Sequence, residues 1–381
     1  MPGTSQKSVL LALSRYSPST HMGVARFASE NNWHLNCEMA FTGRLPEGWR
    51  GDGIVASLDH REEVAAFVQR AKVPVVDLSM IRLEVNVPRV SGDNYAIGQS
   101  AGELFAERGF QHFAWFSTRD DPASRLRLQG FTDAVRGQAV TMERWVFPEV
   151  TRRKQDEWTV KRDWLVTCLH SIPKPVAIFA FNDLEAVNVL DACLTAGIEV
   201  PEKVAILGVD NNPAICESVR VRLSSVNHDL EGLGYAGAGL LDRLMRGDKA
   251  PKQPILIPPR GITERRSTDA LAIGNDGVRK ALEFLRTNYP RLIGPAEAAD
   301  HAGVPRSHLE SEFRRLFHHS MRAELARIRL QRAKEYLLET ELPVADVAAR
   351  TGFNTAQYFN NVFRRATGLT PLNYRRSREN S

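Results

Sequence analysis

AIFAFNDLEAVNVLDACLTAGIEVPEKVAILGVDNNP, residues 177–213, carries the pattern on which the fold of most of the chain turns. Two short apolar runs, 176–180 and 204–209, flank a stretch, 184–196, whose apolar residues recur at helical spacing. Runs that are apolar throughout, rather than alternating, belong to parallel strands covered on both faces. Parallel neighbours need a crossover, and the helical stretch supplies it. Each run ends in short polar residues: Asn182 and Asp183 after the first, Asp210 and Asn211 after the second.

Outward from there, the same alternation extends from about residue 8 to residue 258. Further strands are expected at 9–13, 53–56, 73–78 and 112–116, and helices at 96–108, 126–136 and 158–170. Repeated units of this kind give a doubly wound α/β fold, whose ligands sit at the carboxyl ends of the strands. The residues at those ends are Arg15, Tyr16 and 17–21, then Asp93 and Asn94, then a polar loop leading to Arg125 and Arg127. Asp, Asn and Arg can each bond two neighbouring hydroxyls, which suits a polyol or sugar, and Trp158 offers an apolar face to a pyranose ring. Taken singly, such residues also cap helices, as Asp183 would for 184–196. Five polar loops together favour a polar cleft.

The 381 residues are 43% hydrophobic and 25% charged, which excludes collagen-like, low-complexity and wholly disordered chains and predicts two or three folding units. Fifty Lys plus Arg face 45 Asp plus Glu, a net of +5, but the charge is unevenly placed. Residues 276–381 hold 18 basic against 12 acidic residues, leaving 32 against 33 for the rest. A basic tail therefore follows a near-neutral module, as expected for a polyanion-binding part joined to a part for something else. Cys37, Cys168, Cys193 and Cys216 are scattered, with no metal-ligand spacing, and are expected as reduced thiols. The first residues show neither a signal peptide nor a membrane span, so a cytoplasmic location and no membrane partner are expected. Gly232, Gly234 and Gly237 spell a dinucleotide fingerprint, but polar residues precede them and leucines around them recur at helical spacing, so close helix packing is expected instead. No nucleophile, base and orienter recur in a known spacing. Neither an enzyme nor a cofactor or metal is expected.

Residues 258–277 are rich in Pro, Gly, Asn and Asp and mark a boundary. Beyond it, 299–313 (ADHAGVPRSHLESEF) and 348–363 (AARTGFNTAQYFNNVF) echo each other: an Ala-containing helix, a Gly at a turn, then an amphipathic helix ending in Phe and followed by two Arg. Small residue, left-handed Gly and buried Phe are the grammar of a helix-turn-helix. Arg314 with Arg315, and Arg364 with Arg365, stand where they can meet phosphates. Residues 322–340 between the repeats read as one helix, with Leu325, Ile328, Ala333, Leu337 and Leu338 buried, that spans nearly 30 Å at about 1.5 Å per residue. That is close to the roughly 34 Å between successive major-groove faces. The pair His318 and His319 is expected to flank a helix end.

Four segments, 91–104 (SGDNYAIGQSAGEL), 124–131 (SRLRLQGF), 177–213 and 223–234 (LSSVNHDLEGLG), resemble the effector domains of LacI-type repressors. The resemblance implies a two-lobed, periplasmic-binding-protein-like domain with three crossing segments. It also implies ligand contacts from Asp93, Arg127, Asn182, Asp183, Asp210 and His228, with Trp158 stacking and Tyr16 reaching in from the first lobe. The tail, above all GLTPLNYRR at 368–376, resembles the all-α double helix-turn-helix domain of the AraC/XylS family. By that resemblance the base-facing residues are Ser307, Glu310 and Ser311, then Ala356, Gln357, Tyr358, Asn360 and Asn361. Pro305 and Asn361 depart from the family pattern. The expected division is an effector-binding and dimerisation domain over 1–268, a linker over 269–277 and a DNA-binding domain over 278–378. In this order the two domains resemble the regulators of D-xylose operons. They imply a sugar-responsive regulator, activating by family habit and dimeric through its effector domain, with D-xylose or a related pentose as effector and operator DNA and RNA polymerase as partners. Another sugar, a sugar acid or a nucleoside as effector, or a transport-type solute-binding protein, are the rival readings.

Overall fold

A computed structural model describes residues 6–59, 61–148, 157–270, 276–317 and 319–379. The chain forms two compact units, one of residues 1–106 with 110–270 and the other of 107–109 with 271–381. Residues 271–275 of the expected linker, His318 and the Leu338 side chain lie outside the description.

Unit 1 opens with β1 (Lys7–Leu13), α1 (Pro18–Glu30), β2 (Trp33–Asn36), α2 (Glu38–Thr42), β3 (Gly53–Ser57), α3 (Glu62–Gln69) and β4 (Val75–Asp77). These strands make a parallel sheet in the order β2-β1-β3-β4, the core of lobe I. After β5 (Val90–Gly92) the chain enters lobe II with α4 (Asn94–Glu107), β6 (His112–Ser117), α5 (Pro122–Val135), β7 (Thr141–Val146), α6 (Glu157–Ser171), β8 (Val176–Ala180), α7 (Asp183–Thr195), β9 (Val204–Val209), α8 (Pro213–Cys216) and β10 (Ser224–Val226). It returns to lobe I through α9 (Leu230–Met245) and β11 (Ile255–Ile257), then crosses once more to β12 (Ile262–Thr263). The second sheet runs β12-β10-β9-β8-β6-β7, parallel except for β12, while β11 pairs with β5. Three crossings therefore join the lobes.

Strands β8 and β9 are buried at every residue, which is why their sequence shows no alternation. In both sheets the strand order reverses beside the first strand of the lobe, at β1/β3 and at β6/β8. Such switch points open a crevice at the carboxyl ends of the strands. The glycines of the apparent dinucleotide motif lie in α9: a Cβ on Gly234 would fall 2.2 Å from the Thr20 carbonyl oxygen of α1. Gly234 lets α9 and α1 touch, and Gly237 lies against Leu78, the close packing expected of them.

Unit 2 is helical: α10 (Asp276–Asn288), α11 (Pro295–Ala302), α12 (Arg306–Phe317), α13 (Met321–Glu339), α14 (Val344–Arg350), α15 (Ala356–Thr367) and α16 (Pro371–Glu379). Pairs α11–α12 and α14–α15 are the two expected helix-turn-helix repeats. Their turns hold Gly303 at φ +67° and Gly352 at φ +77°, the left-handed conformation that a side chain disfavours. Among the described residues no helix is long and apolar enough to cross a membrane, and no three His, Cys, Asp or Glu gather as metal ligands.

Candidate functional site

A cleft of about 480 Å³ opens in unit 1, within the range of about 300–1,000 Å³ typical of small-molecule sites. Its floor is built on Arg127. A Cβ on Gly98 of α4 would lie 1.9 Å from the Arg127 carbonyl oxygen, and one on Gly130 of α5 would lie 2.1 Å from that of Tyr95. The two helices therefore touch backbone to backbone, and Arg127 Nε reaches Asn94 Oδ1 at 2.8 Å. Its Nη1 donates to the Phe181 carbonyl, and the guanidinium lies 4.4 Å from the centre of the Phe181 ring. Only 3% of Arg127 is exposed. Burial lowers its pKa, and the nearby Asp210 charge opposes that effect.

Opposite stand Asp210 and His228. Asp210 at φ +103° and Asn211 at φ +50° are consecutive non-glycine residues in the left-handed half of backbone space, a strained arrangement. Three bonds hold it: Asp210 N to the Val226 carbonyl, Asn211 N to Ser225 Oγ, and Arg265 Nη2 to Asn211 Oδ1. The strained turn places Asp210 Oδ1 3.1 Å from His228 Nδ1, which also lies 3.4 Å from Arg127 Nη2. Arginine only donates, so one ring nitrogen cannot serve both contacts. The shorter contact assigns the proton to Nδ1, donating to Asp210. Arg127 Nη2 and the second Asp210 oxygen are then the groups this cluster offers to a ligand. His228 Nε2 is buried against Gly92 with no hydrogen-bond partner.

Several expected site residues take other posts. Asn182 is the cap of α7, accepting from Glu185 N at 2.9 Å, so the amide NH2 is what it turns to a ligand. Asp183, expected as that cap and as a ligand contact, is buried and taken up by Asn212 N at 2.8 Å and Ser225 Oγ at 2.6 Å. Burial and the charge of Asp210 push its pKa up to about 6. Asp93 does not line the cleft: its carboxylate accepts from Ala96 N at 3.0 Å at the start of α4, and the next residue, Asn94, faces the cleft in its stead. Trp158 is a correction of the same kind. It stands in the first turn of α6, 55% exposed, with Arg162 stacked on its ring at 4.9 Å, and does not line the cleft. The aromatic faces there are Tyr16 and Phe181. Phe181 was missed because it directly follows β8 and reads as its end; Arg119 lies in the polar loop after β6, expected as a whole without this residue being singled out. Arg125 pairs with Asp120 and also stays outside.

In unit 2 most of the residues expected to face DNA are exposed. On α15, Phe359 and Phe363 are buried, while Gln357, Tyr358, Asn360, Asn361, Arg364 and Arg365 are exposed and Ala356 is half-buried. Asn360, Asn361 and Arg364 share a notch with Val344, Thr370 and Leu372. On α12, Leu309 and Phe313 are buried and Ser307, Ser311 and Arg314 are exposed. Arg315 is tied to Glu312 by two bonds of 3.2 and 2.9 Å, and Glu310 is half-buried with one carboxylate oxygen unbonded.

Known proteins carry the same arrangement. A family described as a periplasmic binding protein-like domain matches residues 103–268, and one described as a helix-turn-helix domain matches 298–377. The chain is 30% identical over 356 residues to the xylose operon regulatory protein of Escherichia coli K12, covering 91% of this chain and 90% of that one. The chain belongs to the family of xylose operon regulatory proteins. Its relative of the same description in Haemophilus influenzae is 27% identical over 332 residues, covering 85% and 84% of the two chains. A solved structure described as the xylose-binding transcription activator xylR aligns over 98% of both chains, with 27% identity and a TM-score of 0.61. Membership makes this chain a sugar-responsive, DNA-binding transcription regulator of the AraC type with a periplasmic-binding-protein-like sensor, and not an enzyme.

Proposed function

We propose that the effector is D-xylose or a closely related pentose, and that its binding activates transcription of a carbohydrate catabolic operon in the cytoplasm. The observation that carries the reading is the cleft floor, where Arg127, held by Asn94, faces Asp210 and His228. One arginine donor, Nη2, held beside a carboxylate oxygen matches adjacent hydroxyls of a small sugar. The description of the relatives as xylose operon regulators supports the pentose. Asp93 and Trp158 drop out of the proposed contacts; Tyr16, Asn94, Arg127, Phe181, Asn182 and Asp210 remain, with His228 and Asp183 as support.

Sugar closes the two lobes about their three crossings. Closure favours one arrangement of a dimer formed through unit 1, and so changes how two DNA-binding units meet the operator and RNA polymerase. The ligand moves this equilibrium only by its differential affinity for the two arrangements. Domain limits of 1–268 and 278–378, with the α12 and α15 residues named above as base and phosphate contacts, complete the proposal. A thermal-shift panel of pentoses, hexoses and sugar acids tests it: at 100 times its dissociation constant an effector adds about 2.7 kcal/mol to the unit it binds. D-xylose or another pentose is expected to give the largest shift. A sugar acid or hexose giving the largest shift, with pentoses inert, refutes the assignment.

A further inference from the structure

Unit 2 holds two apolar clusters that share α13. One includes Leu285, Leu309, Phe313 and Leu325, with Tyr289 packed against it; the other includes Leu337, Val347, Phe359 and Phe363, with Tyr336 packed against it. Each anchors one recognition helix. The clusters are also tied at a junction beside α13. Arg329, in the middle of that helix, donates from Nε to the Tyr289 carbonyl at 2.9 Å and from Nη2 to the Arg291 carbonyl at 2.7 Å, both in the turn that follows α10. The same Tyr289 oxygen rests against the turn of the second helix-turn-helix: a Cβ on Gly352 would fall 2.2 Å from it and 2.8 Å from Arg329 Nε. The Tyr336 side chain lies close to Tyr289 at the same junction, where burial first and the neighbouring phenol second raise the Tyr289 pKa. One guanidinium fork therefore meets the scaffold of the first reading helix and the turn that aims the second.

We propose that Arg329 is a positioning residue that holds the two recognition helices at one separation and angle, and so selects the spacing between the two blocks of base pairs read together. The planar fork matters, because lysine offers a single flexible donor group and cannot hold two carbonyls in fixed directions.

The test uses the full-length chain and the duplex that the wild-type protein retains from a randomised pool, together with versions carrying one or two base pairs inserted between the two protected blocks. One base pair turns the second block by about 35° and shifts it by about 3.4 Å. The wild type is expected to lose at least about tenfold in affinity for each insertion, and Arg329→Lys about threefold or less. Sugar binding and the melting of unit 1 should be unchanged. A merely structural role would lower affinity equally on all spacings, and that result, or a wild-type spacing profile in Arg329→Lys, overturns the proposal. If the lysine variant fails to fold, Tyr336→Phe removes one hydroxyl from the same junction with little change of volume. It is expected to flatten the spacing profile in part, and an unchanged profile there overturns the proposal as well.

Discussion

Replacing Asp210 by Asn keeps the shape of the side chain and removes its charge, at the point where the cleft floor depends on that charge most. In the wild type, Asp210 accepts from His228 Nδ1 at 3.1 Å, and its charge offsets the burial of Arg127. In the proposed function its second oxygen accepts from a sugar hydroxyl. A hydrogen bond to a charged group contributes about 1.5–3 kcal/mol, so Asp210→Asn should weaken sugar binding by about 10- to 100-fold. The unliganded protein should change less. Arg127 keeps its bonds to Asn94 and the Phe181 carbonyl and its place over the Phe181 ring. Asp183, whose pKa is raised partly by Asp210, is relieved of a like charge and should titrate lower. Calorimetric titration with D-xylose, alongside thermal melting without sugar, separates the two effects. A sugar affinity within about twofold of wild type, in a protein that melts normally, would refute the role assigned to Asp210.

Three further outcomes are expected. Trp158→Ala should leave sugar affinity unchanged, since the ring stands outside the cleft; a tenfold loss by titration would restore the stacking role. Asp183 has a folded-state pKa of about 6, above its ordinary 3.8, so its contribution to stability is present in full below the ordinary value and is lost as pH rises through about 6. Denaturant unfolding from pH 3.5 to 7 should thus show wild type losing on the order of 3 kcal/mol relative to Asp183→Asn, and parallel curves would count against the raised pKa. Gln357→Ala should relax base preference by about 1–3 kcal/mol at one operator position with sugar binding intact; an unchanged preference in a binding-site selection would remove Gln357 from the reading face.

The long buried strands were legible because burial on both faces writes itself as an unbroken apolar run, as in β8 and β9. So were the helix-turn-helix repeats, where Ala and Gly recur four residues apart and a Phe is followed at once by two Arg. The short strands at the crossings were not. β5, β10 and β11 have three residues each and β12 has two, too few to show any period. At the site, residue types were legible and assignments were not. Asp93 and Asn94 are neighbours of similar chemistry, and which one caps α4 and which faces the cleft depends on a one-residue register at the helix start. Trp158 failed for a different reason: helical spacing gives a side chain a face on its own helix, and only the packing of α6 decides whether that face meets the cleft.

Helix α9 has a consequence for how the molecule is made. Its Leu233, Leu240 and Leu241 pack with Val9, Leu11, Val55 and Val76, so the lobe whose strands are synthesised first waits for a helix that ends at Met245. From α4 to β10 the other lobe is nearly continuous in sequence. As the chain leaves the ribosome, lobe II can complete its core while an apolar face of lobe I is still uncovered, inverting the usual order in which earlier segments fold first. Translation stopped just after β10 would release a nearly finished second lobe tethered to a first lobe with an open apolar face, a product suited to aggregation or proteolysis rather than to sensing sugar.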